Sequence, residues 1–333
     1  MSTPNAAYLL DEGAFAMLYG KDIRSEISKL TSLYPHHLTT SNYRQHLPAA
    51  ATIRYLFSGW GMQQMDEEFL KKFPQLEIVF YAAGSIRCFI TDAAWERGIR
   101  IVTAQKANSI PVAEFTLSQI LYCLKGGWQY FRSFRQPEKN AVLCDAFPGT
   151  YRSTIGLLSL GAIAQLVVGH LKNFGVDIIA YDPVVDPKVA EKLGVKLVSL
   201  EEVFRTSDVV SCHLPNLPVT EGILKYEHFA AMKPYTSFIN TGRGAVVHKP
   251  GLIQTLRERP DLIAVLDVTH PEPPVEGSPF YTLPNVILTP HIAGSRGPEG
   301  GRHGKMMLDE FQRFLAGQPL QHEVTRQQAA VMA

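Results

Sequence analysis

The stretch IGLLSLGAIAQ (155–165) decides how this chain is read. An apolar run passes into a helical pattern through Ser159, Gly161 and Ala164, the spacing of a G-x-G-x-x-G loop in which only the middle glycine stands. The three places in such a loop do different things. The first makes the tight turn, the second lets the backbone approach a pyrophosphate, and the third packs helix on strand. Ala164 costs one methyl group. Ser159 is the real departure, because the turn is expected to ask for backbone angles that disfavour a β-carbon. Asp182 closes the following VDIIAYDP, 21 residues beyond Gly161. An acid at that distance accepts hydrogen bonds from the adenosine ribose hydroxyls and repels a 2′-phosphate. The stretch therefore predicts a loop for NAD rather than NADP, built from Ser159, Gly161, Ala162 and Ile163, with Asp182 and Pro183 at the next strand end.

Outward from that loop the alternation is regular. Strands are expected at 154–158, 177–181, 195–198, 208–212, 236–240, 262–267 and 286–289, with helices at 162–174 and 186–193. Such a βαβ series folds into a doubly wound parallel sheet. Ahead of it, 53–57 (IRYLF), 77–81 (EIVFY) and IRIVTA read as strands of a second α/β region. The segment SIPVAEFTLSQILYCLKGG reads as a long helix capped by Ser109, with Pro111 in its first turn. Met307, Phe311, Phe314 and Leu315 fall at helical spacing and predict an amphipathic helix returning to the first domain. The expected division is a substrate domain of 1–108 and 306–333 and a cofactor domain of 109–305.

The totals agree with this class. A chain of 333 residues suits two domains. With 32 Lys and Arg against 31 Asp and Glu, it offers no broad electrostatic attraction for nucleic acid or an anionic membrane. Ser153–Leu171 contains no Asp, Glu, Lys or Arg, but its Ser, Thr, Gln and His residues read as a buried strand and helix rather than a membrane span. Cys88, Cys123, Cys144 and Cys212 lack C-x-x-C spacing and read as buried, inert thiols of a cytoplasmic protein. His36, His37, His46 and His303 show no metal-ligand spacing, so no metal is expected.

INTGRGAVVH (239–248), AVLDVTHPEP (264–273), LPNVILTPHIAGS (283–295) and DAAWERGIRIVTAQKANSIPVAEFTL (92–117) together resemble the signatures of the D-isomer-specific 2-hydroxyacid dehydrogenases. The resemblance implies a Rossmann cofactor domain, a smaller flavodoxin-like α/β substrate domain, and a homodimer formed through the cofactor domain. It implies hydride transfer between NADH and a small 2-keto acid, as in glyoxylate or hydroxypyruvate reductases. It also places Arg243, Glu272 and His291 as the catalytic set, which the residue types support. Arg243 can hold a carboxylate through two parallel hydrogen bonds while staying charged. His291 has the side chain whose ordinary pKa suits proton transfer in both directions. Glu272 would orient it. The same resemblance assigns cofactor contacts to His213, Pro215, Thr220, Thr241, Gly242, Asp267 and Gly294, with Asn216 and Pro218 in the same loop as Thr220. Asp267 would meet the nicotinamide carboxamide, against the alternative of a buried strand-end acid bonded to backbone. His213 has packing as its alternative.

AAGSIRCF (82–89) departs from the family's G-A-G-V-D loop, leaving Gly84 and Ser85 to offer amides to the substrate carboxylate. Arg87 stands where many relatives carry Asp; it reads either as an exposed surface arginine or as a charge selecting dianionic substrates. Trp60 borders the pocket or is a core residue. A nicotinamide-sensing corepressor of the same fold is the alternative function. A formate-type dehydrogenase is disfavoured, because such relatives place Gln where Glu272 stands.

Overall fold

In the computed structural model, which describes residues 3–134 and 147–331, the chain divides into two compact units, Met1–Asn108 with Ser295–Met332 and Ser109–Gly294. In the first unit, β1 (Ala6–Leu9), β2 (Tyr55–Ser58), β3 (Ile78–Tyr81) and β4 (Arg100–Thr103) run parallel, and Glu323–Val324 joins β4 antiparallel. Single parallel bridges from Leu33 to Ala6 and from Leu38 to Leu9 place the 33–38 segment on the other side of β1. Counting it, the spatial order is 2-1-3-4-5, the flavodoxin-like arrangement.

Each strand alternates between two cores. Tyr55, Phe57, Ile78 and Phe80 face one, and Leu56, Val79 and Tyr81 face the other. That double burial explains why these strands are nearly continuous apolar runs. Helix Gly301–Leu315 closes one face, with Met307 and Phe311 fully buried and the Phe311 ring edge-on to Phe57 and Phe80. Leu315, expected on that stripe, is largely exposed instead.

The second unit holds β5 (Tyr151–Leu158), β6 (Gly175–Tyr181), β7 (Lys196–Leu197), β8 (Val209–Cys212), β9 (Ser237–Asn240), β10 (Ile263–Leu266) and β11 (Val286–Leu288). They form one parallel sheet in the order β11-β10-β9-β8-β5-β6-β7. Numbered from β5, this is the 3-2-1-4-5-6 order of a Rossmann sheet with a seventh strand added. The reversal point lies between β5 and β8, and the turn through Ser159 and Gly161 follows β5 there.

Three sequence expectations shift. The long helix spans Gln105–Leu124, beginning straight after β4, so Ser109 is a buried helical residue rather than a cap and Pro111 lies inside the helix. Residues 295–305, read with the cofactor domain, pack in the first unit. There the Ser295 N–H donates to Asn108 Oδ1 (3.0 Å), and Gly304 lies so close to the Leu18 carbonyl that a β-carbon would come within 1.9 Å of it. Cys123 and Cys212 are buried, and burial pushes both thiols up to about 12, but Cys88 is exposed. Cys144 lies outside the described residues. Among those residues no helix is long and apolar enough to cross a membrane, and no three His, Cys, Asp or Glu cluster to hold a metal ion.

Candidate active site

The loop after β5 shows how serine replaces glycine. Ser159 sits at φ +77°, the left-handed region that favours glycine. Its hydroxyl donates to Asp182 Oδ2 (3.2 Å), and the Leu160 N–H donates to the same oxygen (2.7 Å). Asp182 Oδ1 accepts from the N–H groups of Val184 (2.9 Å) and Val185 (3.0 Å). The acid expected to meet a ribose is thus also the clamp that holds this turn, bridging the ends of β5 and β6.

Gly161 is the N-cap of helix Ala162–Leu171, and no side chain caps it. A β-carbon built on Gly161 would meet only Ser159 Oγ, at 3.7 Å, so the protein leaves the space before this helix end open. Ala162 and Ile163 open the helix, and Ala164 is fully buried where helix meets sheet. An uncapped helix N-terminus on a glycine is a fit for a pyrophosphate.

At the end of β8, His213 Nε2 pairs with Ser211 Oγ (3.0 Å), while Nδ1 is buried with no partner. Burial holds this imidazole down at about 4. An orphaned, neutral ring nitrogen beside the nucleotide loop is the second observation that suits a bound dinucleotide. Thr220 turns its hydroxyl inward, towards the carbonyls of Pro215 (2.6 Å) and Leu217 (3.0 Å), so it closes its own loop.

The segment after β9 is shaped by close backbone approaches. A β-carbon on Gly242 would lie 3.1–3.3 Å from Cys212 O, Leu214 O and His213 Cα, and one on Gly244 only 2.0 Å from the carbonyl carbon of Thr269. Glycine at both places lets the turn bearing Arg243 lie between the ends of β8 and β10. Asn240, fully buried, locks that turn: its amide donates to Arg243 O (3.0 Å), and its Oδ1 accepts from the Gly242 N–H (3.0 Å). Arg243 Nη1 donates to Gly242 O (2.8 Å), and the Thr241 hydroxyl pairs with that of Thr116 (3.0 Å). Sequence reasoning did not single out Asn240. A buried Asn at the last position of an apolar strand, before a Gly-Arg-Gly turn, was the available signal.

His291 and Glu272 meet. Nδ1 lies 2.6 Å from Glu272 Oε1, with the side chains 51% and 39% exposed. A carboxylate accepts, so Nδ1 carries the hydrogen. His291 has φ +53°, and its N–H donates to the carbonyls of Asp267 (2.9 Å) and Thr289 (3.0 Å). The Asp267 side chain is buried and holds the same loop. Its Oδ1 accepts from Thr289 Oγ1 (2.6 Å) and the Ile292 N–H (2.8 Å), and its Oδ2 from the Ala293 N–H (2.9 Å). Glu272, His291, Pro273, Pro274 and Tyr281 line a cavity of about 480 Å³, and Gly294 ends the unit.

The structure thus sets Arg243, Glu272 and His291 beyond the carboxyl ends of neighbouring strands β9, β10 and β11 of one unit. Gly84, Ser85, Arg87 and Trp60 belong to the other unit. Gly84 and Ser85 follow β3 in an open turn, with nothing within 4 Å of a β-carbon built on Gly84. Arg87 Nη2 donates to Ala330 O (3.0 Å), and Trp60 is half-buried against both cores of its unit.

Residues 117–293 match the family model described as D-isomer specific 2-hydroxyacid dehydrogenase, NAD binding domain. A D-3-phosphoglycerate dehydrogenase of Methanocaldococcus jannaschii is 33% identical over 258 residues, 77% of this chain and 48% of the relative. One of Mycobacterium tuberculosis is 32% identical over 262 residues, covering 76% and 48%. The chain spans about half the length of these curated relatives. The holo form of D-mandelate dehydrogenase from Rhodotorula graminis superposes with a TM-score of 0.82 at 25% identity, covering 98% of this chain and 99% of that one.

Proposed function

The chain belongs to the D-isomer-specific 2-hydroxyacid dehydrogenase family, and on that premise we propose that it reduces a small 2-keto acid to the D-2-hydroxy acid, and the reverse, at Arg243, Glu272 and His291. The observation that carries this reading is the 2.6 Å pair of His291 and Glu272 at the carboxyl edge of an NAD-binding sheet, one strand from Arg243. When bound, NADH supplies the hydride.

Arg243 holds the keto acid through its planar fork and draws charge from the carbonyl. His291 delivers the proton from Nε2. Glu272 accepts from Nδ1, which fixes the ring plane. Both side chains are about half exposed, so the imidazole regains its proton from water. The family resemblance assigns the substrate carboxylate to the amides of Gly84 and Ser85 as well. On this reading Met1–Asn108 with Ser295–Met332 is the substrate domain and Ser109–Gly294 the cofactor domain.

The exposed rings of Tyr122 and Phe131 beside Trp128, with Phe134 exposed further along the chain, support a homodimer through the cofactor domain. The buried free thiols of Cys123 and Cys212 suit a reducing cytoplasm. NADH oxidation against glyoxylate, hydroxypyruvate, pyruvate, bulkier keto acids and the phosphorylated keto acid related to 3-phosphoglycerate tests the reaction. Turnover of at least one, lost in His291→Asn, is the expected result. NADH binding without any turnover would replace this reading with that of a nicotinamide sensor.

A further inference from the structure

The proposed reaction makes no use of His303, which lies fully buried in helix Gly301–Leu315. A buried imidazole is kept at a cost unless both nitrogens are satisfied, and here both are. Nδ1 lies 2.9 Å from Ala82 O, and Nε2 2.8 Å from Ser295 Oγ. A carbonyl only accepts, so Nδ1 carries the hydrogen and Nε2 accepts from the Ser295 hydroxyl. Burial holds the imidazole below its ordinary pKa, which keeps the ring neutral and this pattern intact. The ring also packs on Trp60, with centroids 5.7 Å apart.

The places of these partners give the arrangement its meaning. Ala82 leaves β3 and leads directly into Gly84 and Ser85; its own N–H donates to Ser58 O (2.8 Å), and the Ala83 carbonyl accepts from the Ala104 N–H (3.0 Å). A β-carbon built on Gly84 would meet nothing within 4 Å, so where its amide points is set by the anchors on either side, Ala82 and Ala83 before it and the fully buried Ile86 after it. Ser295 is the residue at which the chain re-enters this unit, and its N–H is bonded to Asn108, the residue at which the chain leaves it. One imidazole therefore joins the strand end that carries the substrate amides to the chain's exit and re-entry points.

We propose that His303 is a positioning residue that sets the Ala82–Ser85 segment for the substrate carboxylate, acting through the Ala82 carbonyl and the Ser295 hydroxyl. The inference rests on the proposed reduction of a 2-keto acid. Steady-state kinetics of the full chain carrying His303→Phe, His303→Asn or Ser295→Ala test it, with NADH Kd from fluorescence titration measured alongside. His303→Phe keeps a ring against Trp60 but makes neither hydrogen bond; KM for the keto acid is expected to rise about tenfold, kcat to stay within about threefold and NADH Kd to stay unchanged.

His303→Asn places an amide N–H where Nδ1 stood and should bring KM back to within about threefold of wild type. Ser295→Ala should raise KM about threefold, because it removes one bond only. Should His303→Phe fail to fold, the Ser295→Ala result decides: a raised KM supports the proposal and a wild-type KM overturns it. Wild-type KM in all folded variants, or a change carried by NADH Kd, also overturns it. A wild type that binds NADH but reduces no keto acid removes the premise and the inference together, an outcome distinct from the others because it is seen before any substitution.

Discussion

Asp267→Asn tests what holds His291 in place. His291 sits at φ +53°, which costs a residue with a β-carbon about 1–2 kcal/mol. The loop keeps it there because three donors, Thr289 Oγ1 and the N–H groups of Ile292 and Ala293, converge on one buried carboxylate at 2.6–2.9 Å. Asparagine has the same shape but only one accepting oxygen. If that oxygen keeps Thr289 and Ile292, the amide nitrogen faces the Ala293 N–H, donor against donor. The loss is one charge-assisted bond, worth about 1.5–3 kcal/mol, and the other two bonds become weaker neutral ones. A total near ~3 kcal/mol corresponds to a fall in Tm of roughly 6–12 °C for a unit of this size.

Thermal unfolding by circular dichroism measures that fall, and NADH titration with kinetics completes the assay. The expected outcome is the drop in Tm, a kcat lower by at least about tenfold as His291 loses its setting, and an NADH Kd within about threefold of wild type. An unchanged Tm with NADH affinity lost about tenfold would refute the reasoning. The carboxylate would then act chiefly on the nicotinamide carboxamide, as the family resemblance implies.

Ser159→Gly relieves the positive φ and loses the hydroxyl bond to Asp182, two effects of about 1 kcal/mol each and opposite sign, so Tm should barely move. Ser159→Ala keeps the strain and loses the bond; if it proves as stable as wild type, the hydroxyl does not stabilise the turn. Arg243→Lys should lower kcat/KM about a hundredfold with NADH Kd unchanged, because an ammonium cannot give two parallel bonds to a carboxylate, and near-wild-type turnover would reject that role. Burial holds His213 at about 4 against 6.5 in the unfolded chain, so on acidification the unfolded state takes up the proton first. This contribution to stability is complete above pH 6.5 and is lost as pH falls towards 4. His213→Gln should flatten that limb in urea unfolding at a series of pH values, and an unaltered slope would contradict it.

Much of the architecture is legible without coordinates. Between 154 and 289 each strand is an apolar run bounded by turn residues, and the helices expected at 162–174 and 186–193 show their own period; those local signals suffice for a doubly wound parallel sheet, although helices Leu200–Thr206, Tyr226–Ala230 and Lys249–Glu258 are not read from them. Ala6–Leu9 escapes the same logic, because AAYL is short and has no β-branched residue; what makes it a strand is β2 on one side and the 33–38 segment on the other. The start of the long helix is missed for a related reason. Ser109 and Pro111 look like an N-terminus, yet Gln105 follows β4 so directly that the helix is already under way.

At the site the division is sharper. Chain order alone carries Arg243, Glu272 and His291 to the ends of successive strands, and their chemistry is written in their types. Which donor each acceptor meets is not written there. Asp267 binds groups 22 to 26 residues away, Asp182 reaches back to Ser159, and Ala82 is held by a histidine 221 residues later. Local periodicity decides elements because it is a property of neighbours along the chain. Hydrogen-bond pairing across strand ends depends on which strands lie side by side and how closely backbones approach at glycines such as Gly242 and Gly244, and only the folded sheet determines that.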